Sequence, residues 1–182
     1  MTHQYGDAFD RDRAVADIEA LLATPLPEAG PTQSEEDPVT EEWVKDVGEG
    51  FVLAPLWESG YLAGVPGEEW NAEVEGADLK ALDVAADLTR RWGTPRKVAM
   101  HGAMFRAEAG EPVPPLHQAL CDADNYGDLT VWGPVPAGPQ GADRWVGISV
   151  GHCDDDAPLV LMAVVSDREI EEVEGGPDRD AT

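Results

Sequence analysis

An α+β fold is what this 182-residue chain predicts: an antiparallel sheet of three to five strands with helices packed on one face. Three observations carry that expectation. Residues 143–167 hold two apolar runs, Trp145–Val150 and Leu159–Val165, on either side of a turn from Gly151 to Pro158. Apolar runs of strand length that flank a polar turn read as a buried hairpin. Leu129–Val135 precedes them across a loop dense in Pro and Gly, which extends the hairpin to a three-stranded meander. Two other stretches, one ending near Ala23 and one over Ala77–Trp92, carry helical periodicity instead.

Taken in order, the chain opens with a polar segment over residues 1–9. Asp10 or Asp12 caps a helix to about Ala23, with Val15, Ile18, Leu21 and Leu22 on one stripe and Pro25 and Pro27 beyond it. Pro25–Pro38 has the composition of a linker. Thr40, Glu41 and Glu42 resemble a helix start, so a short helix is expected over Glu41–Val47, stopped by Gly48 and Gly50. Phe51–Trp57 is apolar and extended. Ser59-Gly60 turns the chain into Tyr61–Val65, and Pro66-Gly67 marks a turn.

Over Ala77–Trp92 the expected apolar face holds Leu79, Leu82, Ala85, Ala86, Leu88 and Trp92. Arg90 and Arg91 complement the helix dipole, with Gly93 as C-cap. Lys97–His101 is a short strand, Ala103–Ala109 is open between helix and strand, and Leu116–Cys121 is a helical turn. The small residues Gly147 and Ser149 suggest close cover by a helix, such as Ala77–Trp92. Leu159–Val165 has no polar side chain and belongs at the sheet centre, buried on both faces. Asp167–Val173 is a short acidic helix. The domain division is residues 1–38 as helix and Pro/Glu-rich linker, 39–174 as the core and 175–182 as a disordered tail.

Charge is the outlying property. Thirty-seven acids face twelve bases, a net charge of −25. Residues 1–50 carry −10, residues 51–153 carry −7 and residues 154–182 carry −8. Such a surface repels nucleic acid and anionic membranes and suits a basic protein partner. Two cysteines make no disulfide framework, and the N-terminus lacks a signal sequence, so a soluble cytoplasmic protein is expected. A homodimer is compatible with the same features. No cofactor motif is present: there is no phosphate-binding loop, dinucleotide fingerprint, nucleophile elbow or zincin pair.

Candidate chemistry is sparse. His152, Cys153 and Asp154, with Asp155 and Asp156 beside them, gather metal-ligand types in one turn, and His117 (i, i+4 from Cys121) is the candidate fourth ligand. The ordinary alternatives are an acidic turn and a buried cysteine. Asp122-Ala-Asp-Asn-Tyr-Gly-Asp resembles a calcium loop but lacks its terminal acid. Arg90, Arg91, Arg96, Lys97 and Arg106 form a basic cluster. Trp43, Trp57 and Trp70 lie among acids that include Glu68 and Glu69, which suits aromatic anchors on an acidic binding surface. The leading expectation is a non-enzymatic acidic domain that binds a basic partner, as immunity or antitoxin proteins do. The alternative is a metal- or ligand-binding protein, or an enzyme, using the 152–156 turn.

Overall fold

The structure, a computed structural model, describes residue 6, residues 8–151 and residues 157–175. Its elements are α1 (Arg11–Ala23), β1 (Gln33–Glu36), β2 (Trp43–Gly48), β3 (Phe51–Glu58), α2 (Gly67–Trp92), β4 (Arg96–Val98), α3 (His101–Glu108), α4 (Pro115–Asp122), β5 (Leu129–Val135), β6 (Arg144–Gly151) and β7 (Val160–Ser166). The seven strands form one antiparallel sheet in the order β1-β2-β3-β7-β6-β5-β4. The sheet is therefore larger than three to five strands.

The helices also cover both faces rather than one. On one face α1 and α2 pack Val15, Ile18, Leu22, Ala77, Val84 and Leu88 against Val52, Val146, Ile148, Leu161, Ala163 and Val165. On the other, α3 and α4 pack Ala103, Leu116 and Leu120 against Phe51, Leu53, Leu129, Val131, Met162 and Val164. The reason lies in β7, whose side chains from Leu161 to Val165 are all buried while pointing alternately to the two faces. A strand apolar on both sides needs a helical layer on each. The meander β5–β6–β7 and the central position of β7 are as the apolar runs predict.

The two extra strands come from the N-terminal side. Gln33–Glu36 is polar and exposed throughout, so no apolar alternation marks it. Residues 43–48 are a strand and not the expected helix. Glu41 has φ of 59°, which breaks any helix there, and Asp37 Oδ1 accepts from the backbone N–H groups of Val39 and Thr40 to close a turn. Gly48 pairs with Phe51 across the two-residue loop Glu49-Gly50, where Gly50 takes a φ of 73° that side-chain-bearing residues avoid. Asp46 then holds the β1–β2 pair, accepting from Ser34 Oγ at 2.6 Å and Trp43 Nε1 at 2.9 Å.

α2 begins ten residues earlier than its apolar face indicates. Pro66 is its N-cap, and Glu68 and Glu69 occupy the first turn, where the dipole favours acids. Residues 61–65 form no strand. Ala103 falls in the helix α3. Residues 167–173 form no helix and instead run irregularly across the α3–α4 face. Ile170 is buried there, Arg96 donates to its carbonyl, and His117 Nε2 donates to the carbonyl of Glu171 at 2.9 Å. Ile170 also lies over Gly147, so this strap and not α2 covers the small-residue face of β6.

The strap approaches α3 so closely that a Cβ at Gly102 would stand 1.9 Å from the carbonyl oxygen of Val173. Gly102→Ala is expected to lower stability by roughly 1–3 kcal/mol through this backbone clash. Gly76→Ala, in the interior of α2 with only Lys80 Nζ at 3.6 Å, is expected to raise it by about 0.5–1 kcal/mol. Urea unfolding midpoints of the two variants check both signs.

Candidate functional site

Among the described residues, the candidates that the sequence marks do not converge. Trp57 is buried beneath α2, with Lys80 Nζ 4.5 Å from its ring centroid, and Trp70 packs against the same core. Trp43 packs on the opposite face of the sheet. The three tryptophans therefore form no common surface, and they serve the two cores. Glu68 and Glu69 are exposed on the first turn of α2.

His152, Cys153 and Asp154 lie outside the described residues. His117 lies on α4, buried, beside Phe51 and Ser166. Ser166 and Gly151, the last described residue before the 152–156 turn, are at opposite ends of the β6–β7 pair, since Gly151 pairs with Val160. Six residues of strand separate these ends, about 20 Å. Among the described residues no three His, Cys, Asp or Glu side chains group as a metal would require.

Burial pushes the His117 imidazole below its ordinary pKa, partly offset by its bond to Glu171. Because Nε2 donates to that carbonyl, Nδ1 carries the lone pair, and it is buried without a partner. Cys121 is buried one turn away, and desolvation, with Asp122 and Glu108 nearby, pushes its thiol up. A thiol held protonated is a poor nucleophile and a poor metal ligand. The calcium-like loop is a turn: Asp124 has a φ of 53°, and Asn125 Oδ1 accepts from Gly127 N–H and from Ser149 Oγ at 3.1 Å.

The basic cluster is likewise dispersed. Arg90 and Arg91 pair with Asp87, and Arg91 also with Glu19. Arg96 pairs with Glu169, and Arg106 with Glu111. Among the described residues, Lys97 alone of the five meets no carboxylate, and its Nζ donates to Thr130 Oγ1 at 2.7 Å.

What the fold does assemble is centred on α2. Its core stripe is Trp70, Val74, Ala77, Ala81, Val84 and Leu88. Leu79 and Leu82, expected on that stripe, instead face solvent at 59% and 64% exposure. Glu75, Leu79, Leu82 and Ala86 follow one another at i, i+4, i+7 and i+11, a single outward stripe, with the exposed Asp78 and Asp83 on its flanks. Residues 67–86 hold six acids and one base.

Beside this stripe, a cleft of about 410 Å³ opens between α2 and the β4–β5–β6 edge of the sheet. Ala81, Leu82 and Ala85 form one wall and Ile148 and Val150 the other. Asp78, Lys97 and Asp128 also line it, and Ser149 borders it with its side chain turned to the opposite face of the sheet.

No protein-family model matches the chain, and comparison with curated proteins and with solved structures found no match.

The lowered pKa of His117 has a signed consequence. Above the ordinary histidine value of about 6.5 both states hold neutral imidazole; below it the unfolded chain takes up a proton that the folded one resists. Stability from this site is thus lost as the pH falls. The stability advantage of the wild type over His117→Gln should shrink between about pH 8 and pH 5, by up to about 1.4 kcal/mol per pH unit. Parallel urea titrations of both proteins measure the gap.

Proposed function

We propose that this chain is a non-enzymatic acidic binding domain that neutralises a basic protein partner, in the manner of immunity or antitoxin proteins. The docking surface in this proposal is the outward stripe of α2. The observation that supports it is the pair Leu79 and Leu82, exposed one turn apart on a helix whose residues 67–86 hold six acids and one base. Exposed apolar side chains rimmed by polar ones mark surfaces that another molecule covers.

The chemistry of the occupant follows from charge. A second copy would bring −25 against −25, whereas a basic segment gains at every approach. Leu79 and Leu82 supply the contact energy, at roughly 1.5–3 kcal/mol for each leucine fully buried. Glu75, Asp78 and Asp83 supply the attraction at a distance, which acts mainly on the rate of association. Asp83 also lies 3.7 Å from Arg11 Nη1, an exposed pair that a cationic partner can replace at little loss.

A synthetic cationic peptide with leucine and lysine at helical spacing is the direct probe. Calorimetry is expected to show binding that weakens from about 50 mM to about 300 mM salt. Leu79→Ser with Leu82→Ser should lower the affinity at least about tenfold without altering the melting temperature by more than a few degrees. Equal affinity of this double variant for the peptide would remove the stripe as the docking surface.

A further inference from the structure

We infer that the cleft between α2 and the β4–β5–β6 edge is a binding site for a small zwitterion, an α-amino acid with an aliphatic side chain. Asp78 and Leu82 belong to the docking stripe as well, but the inference rests on a different observation: opposite charges held apart around an apolar slot.

Lys97 is the anomalous residue. Among the described residues, the other bases face a carboxylate or an aromatic ring, with the exception of the buried Arg144. Lys97 is exposed in a chain with 37 acids, two of which line the same cleft, yet neither Asp78 nor Asp128 pairs with it. The spacing of the strands explains why. Lys97 is opposite Thr130 in the β4–β5 pair, and Asp128 lies two residues before Thr130 on the same side. That offset is about 7 Å along the strand, and Asp128 Oδ1 is turned toward the Met100 N–H.

The hydrogen bond to Thr130 occupies one of the three ammonium donors of Lys97, which leaves two for a ligand carboxylate. Thr130 Oγ1 holds Lys97 in place as it does so. Asp128, from the loop before β5, and Asp78, from α2, line the same cleft and are the carboxylates that would take the ligand ammonium group. A molecule with a carboxylate beside an ammonium group bridges the two ends, with a charge-assisted contact at each.

Between the ends, Leu82, Ala85, Ile148 and Val150 form a slot for an aliphatic side chain. Ser149 is buried, and its Oγ lies within hydrogen-bonding distance of both Asn125 Oδ1 and the carbonyl of Gly127, at 3.1 and 2.9 Å. Its single proton is directed to these groups, away from the slot. The cleft volume of about 410 Å³ is in the range of small-molecule sites.

The test is calorimetry on the full chain with L-leucine, leucinamide and 4-methylpentanoate, joined to amide shift mapping. L-leucine is expected to bind and to shift the amides of Thr130, Ser149 and Val150. Leucinamide, which lacks the carboxylate, and 4-methylpentanoate, which lacks the ammonium group, should each bind at least about tenfold more weakly if both charges are read. Lys97→Met and Asp128→Asn should each weaken L-leucine to the same degree while the free proteins melt as the wild type does. No binding at about 10 mM L-leucine, shifts that map elsewhere, or equal binding of all three compounds would overturn the inference.

Discussion

The requirement to bury both faces of β7 shapes this molecule. Leu161, Ala163 and Val165 point to one side and Met162 and Val164 to the other, and none of them reaches water. Such a strand is stable only with a paired neighbour on each edge and a packed layer on each face. β3 and β6 supply the edges. α1 and α2 supply one layer; α3, α4 and the strap through Ile170 supply the other. The position of α2 follows from this demand. Its inward stripe is committed to the core, which leaves Leu79 and Leu82 outside and sets the helix against the β4–β6 side of the sheet, where the cleft opens.

Much of the central sheet was legible because its signal is local. Apolar runs of strand length mark β3, β5, β6 and β7, and Asp10 with its stripe marks α1. The failures have a common cause, which is structure specified by contacts rather than by pattern. β1 is wholly polar, and it is a strand because β2 is beside it. The Thr40-Glu41-Glu42 sequence reads as a helix start until the turn at Asp37 and the pairing with β3 override it. The 167–173 segment has helix-forming composition but is drawn out by Arg96 and His117.

The candidate site was hardly legible at all. Asp78, Lys97 and Ser149 come from three elements and Asp128 from the loop before β5, spread over some seventy residues, and no spacing rule connects them. The periodicity of α2 even pointed the wrong way, because leucine at a helical interval counts the same whether its face is inward or outward. The tryptophans were conspicuous for their size, and size is what placed them in or against the cores. Charge was the outlying property visible from the start. The structure refines it: most described bases are tied to nearby acids, so the excess negative charge is carried by carboxylates that face no base among the described residues, several of them on α2.

The pairing of β3 with β7 carries a further consequence for the way the chain reaches its folded state. Phe51 lies against Ser166, more than a hundred residues later in the chain. During synthesis, β1, β2 and β3 emerge long before the strand that completes them. For that interval the apolar run Phe51–Trp57 has an open edge, the kind of surface on which nascent chains associate. The acids that precede it, Glu35, Glu36, Asp37, Glu41, Glu42, Asp46 and Glu49, give neighbouring chains like charge at that same place. Like charge at that place opposes contact between unfinished sheets until the last strand arrives.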